Sequence, residues 1–88
     1  MWYYVYILEL NNGKHYYGCT SDIKERIKRH SKGQVTFTKP FLPVKIIWCF
    51  AFPDRFLAYK FEKYLKSGSG RSFASKRFYN KASFDYLV

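Results

Sequence analysis

Residues 4–30, YVYILELNNGKHYYGCTSDIKERIKRH, decide how this chain folds. Trp2 to Leu10 is rich in aromatic and β-branched residues and predicts a strand. His15 to Thr20 predicts its partner. Between them stands Asn11-Asn12-Gly13. A three-residue hairpin loop makes a type I turn and then needs a left-handed residue, which Gly13 supplies. This loop pairs Leu10 with Lys14, Leu8 with Tyr16 and Tyr6 with Gly18. Side chains alternate faces along a strand. Tyr4, Tyr6, Tyr16 and Gly18 therefore share one face, and Val5, Ile7 and Tyr17 share the other. A two-residue Asn-Gly turn would slip the register by one and part Tyr6 from Tyr16.

The hairpin runs into a helix. Thr20 or Ser21 is expected to cap it, with Asp22 favourably placed in its first turn. It extends to about Ser31 and stops at Lys32-Gly33. Ile23, Arg26, Ile27 and His30 fall at i, i+3, i+4, i+7, the stripe that should meet the sheet. The opposite side is ordinary: Lys24 with Lys28, and Glu25 with Arg29 as an i, i+4 ion pair. Arg26 and His30 thus stand where a charge is costly without a partner. Either Arg26 snorkels to solvent and His30 is an exposed C-terminal helix charge, or both face a polar cleft.

Gln34 to Pro43 reads as a loop. Val44 to Phe52 predicts a third strand, apolar enough to be well buried. Pro53-Asp54 opens a second helix, Arg55 to Ser67. Gly68-Ser69-Gly70 breaks it, and Arg71 to about Asn80 predicts a short third helix. The second helix repeats the anomaly of the first. Ala58, Phe61, Glu62 and Leu65 form its stripe, and Glu62 is the odd member. The chain has six acidic residues, and this one alone is set in a strong apolar stripe. A salt bridge to Arg26 or Lys66 would account for it. Two intrusions of opposite sign on separate helices point instead to a shared polar cleft.

Composition bounds the rest. Eighty-eight residues make one domain, 1–88. The aromatic share of 23% supplies the buried area so small a core needs and argues against disorder. Sixteen Lys and Arg against six Asp and Glu leave a formal charge of +10. A small basic domain predicts an anionic partner, with nucleic acid first. A membrane surface ranks far behind, because no basic amphipathic helix shows a clean apolar face. Cys19 and Cys49 fall in predicted strands without metal-ligand spacing and read as reduced, half-buried thiols. No signal segment opens the chain, and no apolar run reaches the ~18 residues of a membrane span. A cytoplasmic location is expected.

If the tyrosine face, Arg26, His30 and Glu62 converge, their chemistry is that of phosphodiester hydrolysis. Arginine offers a fixed fork of donors for phosphate oxygens and developing charge. One carboxylate can hold a hard ion such as Mg²⁺, which keeps several waters and takes substrate phosphate. A tyrosine or histidine can orient or deprotonate water. A phenol with a pKa near ~10 is a poor base, and nearby positive charge is expected to lower it.

Tyr4-Val5-Tyr6, Tyr16-Tyr17-Gly18, Arg26, His30 and Glu62, in this order and spacing, resemble the GIY-YIG nuclease family. The chain looks like one of its small standalone bacterial members and is similar to the nuclease domain of the repair excinuclease. Glu62 through Arg71 also resembles the end of such domains. The resemblance implies a small α/β (α+β) sandwich, a three-stranded antiparallel sheet flanked by three helices. It implies metal-dependent DNA cleavage with one Mg²⁺ or Mn²⁺ ion, in repair or on branched or damaged DNA. By position, Tyr6 and Tyr16 match the motif tyrosines and Gly18 the closing glycine. Arg26 matches the arginine on the scissile phosphate, Glu62 the metal-binding glutamate, and His30 a histidine that assists in some members. Tyr4 and Tyr17 replace the motifs' glycine and isoleucine. Asn80 is a candidate for an asparagine near the domain end. Lys14, Lys39, Lys66, Arg71, Lys76 and Arg77 are candidates for sequence-independent backbone contact. The competing expectation is a nucleic-acid-binding module with weak or no turnover. A purely structural domain would instead lack salt-sensitive DNA affinity.

Overall fold

The computed structural model describes residues 1–78. Its elements run β1 (Tyr3–Glu9), β2 (His15–Thr20), α1 (Ile23–Ser31), a short 3-10 turn (Lys39–Phe41), β3 (Lys45–Phe52), α2 (Arg55–Lys66) and α3 (Gly68–Arg77). The strands form one antiparallel sheet in the order β2-β1-β3. This is the expected three-stranded sheet flanked by three helices.

The hairpin turns as its sequence dictates. The Gly13 N–H donates to the Leu10 carbonyl at 3.0 Å, and the Leu10 N–H to the Lys14 carbonyl at 2.8 Å. Gly13 takes φ +82°, the left-handed value that closes this loop. Asn12 adds its side-chain oxygen as acceptor for the Lys14 N–H, at 3.0 Å. Tyr6 consequently faces Gly18, and Leu8 faces Tyr16.

Central position makes β1 the heart of both layers. Val5, Tyr6, Ile7 and Leu8 are all 0% exposed, so the strand is sealed on both faces. Val5 and Ile7 pack with Ala58, Leu65 and Ala74 beneath α2 and α3, ringed by Trp48, Phe50, Phe61 and Phe78. Each such side chain contributes on the order of 1.5–3 kcal/mol when fully buried. On the other face Tyr6 meets α1 through His30. The connection after α1 is tied to the hairpin by Asn11, whose N–H donates to Phe41 and whose side-chain amide donates to Leu42.

Several local expectations need correction. Asp22, not Thr20 or Ser21, caps α1: its carboxylate accepts the Glu25 N–H at 3.1 Å. Glu25 and Arg29 form no ion pair among the described residues. The third strand is not well buried, because it is an edge strand beside β1. Ile46, Cys49 and Ala51 are exposed, with a register shift between Ile46 and Trp48 interrupting the alternation. Cys49 is therefore an exposed thiol, while Cys19 is half-buried as expected. The helix break falls at Ser67, not across the glycines. The Ser67 hydroxyl oxygen accepts the Gly70 N–H at 3.1 Å, and α3 begins at Gly68. Gly70 serves close packing there, since a Cβ on it would overlap the Tyr64 carbonyl. Asn80 and the expected end of the third helix lie outside the described residues.

Candidate active site

The stripe on α1 is buried in the order its periodicity requires. His30 is 0% exposed, Ile23, Arg26 and Ile27 are half-buried, and Lys24, Glu25, Lys28 and Arg29 are exposed. The histidine is thus not an exposed helix charge. Its Nε2 lies 2.9 Å from the Tyr6 hydroxyl, and its Nδ1 lies 2.8 Å from Oγ1 of Thr38. Tyr16 stands edge-on to the same imidazole, with ring centroids 5.2 Å apart, and 6.3 Å from the Tyr6 ring. The Tyr6 ring fits because Gly18 opposite it has no side chain: a Cβ there would overlap the phenol. Tyr6, Tyr16, Gly18 and His30 therefore form one cluster, as the hairpin register requires.

Burial, more than charge, governs this cluster. Burial is the main cause that pushes the Tyr6 phenol up to about 12, seconded by Tyr16. Arg26 opposes this by hydrogen bonding and by charge, and Glu62 adds to the rise. The expectation of a lowered phenol fails here. The positive charge is present, but desolvation of a phenolate outweighs it. His30 is held below its usual range, first by burial and then by Arg26 and Arg29. It is a neutral imidazole at neutral pH.

Glu62 arrives from the opposite layer. The α2 stripe is buried as expected, with Ala58 and Leu65 sealed and Phe61 and Glu62 half-buried. The Glu62 carboxylate acts on both the Tyr6 phenol and the Cys19 thiol. Those two residues lie on opposite faces of the sheet, one on β1 and one on the edge strand β2. Its carboxylate pairs with Lys66 at 2.8 Å; the glutamate side chain is 13% exposed and the lysine 54%. No ion pair joins Glu62 to Arg26 among the described residues.

Sequence reasoning missed three neighbours. Arg55 joins Arg26, Cys19, Thr20 and Tyr59 in lining a cavity of about 340 Å³. Phe37, 63% exposed, packs on Tyr16 with centroids 5.5 Å apart. Thr38 is fully buried against His30. Arg55 was legible only as a helix-start cation, and Phe37 and Thr38 only as loop residues.

Three of the six basic residues singled out for backbone contact come together. Lys14, Lys66 and Arg71 line a second cavity of about 530 Å³ with Gly13, His15 and Tyr17, between the hairpin tip and the α2–α3 junction. Lys39 belongs to the connection after α1, against Gly33. Arg77 lies over the Phe73 ring, 4.5 Å from its centroid, near Lys76 at the end of α3. Among the described residues no three His, Cys, Asp or Glu side chains gather into a metal cluster, and no helix is long and apolar enough to cross a membrane.

A tyrosine hairpin packed on a helix histidine, with an arginine on the same helix and a half-buried glutamate on the second, is the arrangement expected of a nuclease-type domain. Residues 2–78 match the GIY-YIG catalytic domain, and the chain belongs to that family. It is similar to the UPF0213 protein BH0048 of Halalkalibacterium halodurans, 38% identical over 70 residues that cover 78% of this chain and 74% of the relative. It is also similar to the UPF0213 protein SAG0778 of Streptococcus agalactiae, 36% identical over 64 residues, covering 72% and 73%. The solution NMR structure of BH0048, there attributed to Bacillus halodurans, superposes with a TM-score of 0.58 at 30% identity. That match covers 100% of this chain and 98% of the other.

Proposed function

We propose that this protein is a metal-dependent DNA endonuclease that hydrolyses phosphodiester bonds, acting as a single domain in repair or on branched or damaged DNA. The observation that carries this reading is the buried Tyr6–His30 pair beside Tyr16, with the charges of Arg26 and Glu62 both acting on the Tyr6 phenol. Arg26 offers its donor fork to the scissile phosphate, and Arg55 in the same cavity adds a second. Tyr16 is half-buried, whereas Tyr6 is sealed and its hydroxyl is engaged by His30. This favours Tyr16 as the phenol that meets the attacking water. Once its own proton has passed to solvent, Tyr16 takes the water's proton while the water oxygen bonds phosphorus; the bond to the leaving oxygen breaks, and that oxygen gains a proton from solvent. Tyr6 then serves to orient Arg26, with His30 behind it.

The donor set fits a hard divalent ion. Glu62 offers one half-buried carboxylate, and Mg²⁺ or Mn²⁺ accepts one protein carboxylate with water and substrate phosphate filling the rest. Structural zinc, which wants four His or Cys ligands, does not fit. When bound, such an ion polarises the phosphate and stabilises the leaving oxygen. Lys66 must release Glu62 for this, and its half-exposed position lets it turn to solvent. DNA is held without regard to sequence, by Lys14, Lys66 and Arg71 in their shared cavity and by Lys39, Lys76 and Arg77 elsewhere.

The Glu62–Lys66 pair also favours a second reading, a nucleic-acid-binding module whose glutamate merely balances a lysine. Supercoiled and branched DNA incubated with Mg²⁺, Mn²⁺ or EDTA separates the two. Cleavage that needs metal and disappears in Arg26→Ala and Glu62→Ala supports the enzyme. Binding without cleavage, unchanged in Glu62→Ala, leaves the module.

A further inference from the structure

Four polar groups run in a line through the site, with Arg26 beside its Tyr6 end. Arg26 holds the Tyr6 phenol down as a donor and by its charge. That hydroxyl lies 2.9 Å from Nε2 of His30, and Nδ1 of His30 lies 2.8 Å from Oγ1 of Thr38. The Thr38 hydroxyl donates to the Val35 carbonyl at 3.4 Å. The groups at the two ends of this line are chemically fixed. A guanidinium is a donor only, and a peptide carbonyl is an acceptor only.

A line that ends on an acceptor, with a donor beside its other end, favours one direction for its hydrogens. With its proton on the Val35 carbonyl, which also accepts the Thr38 and Lys39 N–H groups at 3.2 and 3.0 Å, Thr38 has only lone pairs left for His30 and receives its Nδ1–H. The neutral imidazole then presents a bare Nε2, which accepts the Tyr6 O–H. The Tyr6 oxygen keeps its lone pairs for Arg26. With the other tautomer, His30 would donate to Tyr6 and turn the phenolic proton toward the guanidinium, donor against donor. The partner of one ring nitrogen sets the state of the other, and that partner is Thr38.

We propose that Thr38 is a positioning residue of the nuclease site. It holds neutral His30 in the Nδ1–H tautomer and, through Tyr6, aims the Arg26 fork. The inference rests on the reading of Arg26 as the phosphate clamp. The groups that face His30 are Tyr6 from β1, Tyr16 from β2, and Arg26 and Arg29 from α1.

The test is ¹⁵N NMR of the His30 ring in the wild type, Thr38→Val and Thr38→Ser, beside metal-dependent DNA cleavage by each. The wild type and Thr38→Ser are expected to show Nδ1–H with an unprotonated Nε2. Thr38→Val, which keeps the shape but not the acceptor, is expected to shift His30 toward Nε2–H and to slow cleavage about 10- to 100-fold, the usual effect of removing a group that orients a functional histidine. Binding of DNA in EDTA should change little. A wild-type ring with Nε2–H overturns the proposal, as does Thr38→Val with wild-type tautomer and rate. If Thr38→Val fails to fold, the wild-type and Thr38→Ser spectra still decide. If the wild type never cuts DNA while the tautomers behave as stated, the nuclease reading falls and the hydrogen-bond assignment stands.

Discussion

The ring of Tyr6 lies over Gly18 and fills the space that a side chain there would need. Gly18→Ala must therefore push the phenol away and break its bond to His30. Overpacking of this kind costs about 1–3 kcal/mol, and in a domain of this size each kcal/mol lowers the melting temperature by roughly 4–8 °C. Thermal melting followed by circular dichroism should show that loss, and cleavage should fall with it. A variant as stable and active as the wild type would show that the ring does not need this place.

The two tyrosines should respond differently to loss of a hydroxyl. Tyr6→Phe leaves the buried Nε2 of His30 without its hydrogen-bond partner, at a cost of about 1–3 kcal/mol. Tyr16→Phe removes a hydroxyl from a half-buried side chain and should change stability little. Its cleavage should nonetheless drop by about 10²–10⁴, the usual scale for a proton-transfer group. Urea denaturation and single-turnover rates check both. A stable Tyr6→Phe beside a fully active Tyr16→Phe would refute the division of roles.

Acid should weaken the fold through His30. Its folded pKa lies below the usual value, so the folded chain binds fewer protons than the unfolded one between the two. Above about pH 6.5 the residue contributes no pH dependence. Below that, stability declines as the unfolded histidine protonates, and the decline levels off once the folded pKa is passed. Under the proposed mechanism cleavage needs neutral His30, and it should persist somewhat below pH 6.5 before it fails. Urea midpoints measured at pH 7.5, 6.5 and 5.5 test this, with His30→Asn expected to flatten its share of the slope.

Lys14 and Arg71 share one cavity and should share one phosphate track. Each phosphate contact contributes about 0.9 to the slope of log affinity against log salt. Lys14→Gln with Arg71→Gln should flatten that slope by nearly two if both contact backbone. Binding titrations in EDTA at several salt concentrations measure it. An unchanged slope would move the DNA off this cavity.

The hairpin register and both helix stripes were readable because each rests on a local rule. Gly13 and its two asparagines fix the turn, and a 3.6-residue period marks Arg26, His30 and Glu62 as intruders. What failed depended on tertiary context. The burial of β3 turned on which strand takes the centre of the sheet, and its apolar sequence does not say. The glycines at 68 and 70 resembled a break, yet Ser67 supplies the cap and Gly70 the close contact with α2. The direction of the Tyr6 shift required knowing that the phenol is sealed from water. Thr38 gave no signal in sequence, since its significance comes wholly from the imidazole it touches.

The sheet order leaves β2 at the margin, with Gly18 and Cys19 back to back on it. Arg26 comes to that margin from one layer and Glu62 from the other, so neither dry core has to admit a charge. A nascent or partly unfolded chain with only the hairpin and α1 in place would carry the phosphate clamp but lack the carboxylate. Cutting power would then arrive only with the docking of the second layer. Under the proposed nuclease function, this ties the hazard of the chemistry to completion of the fold.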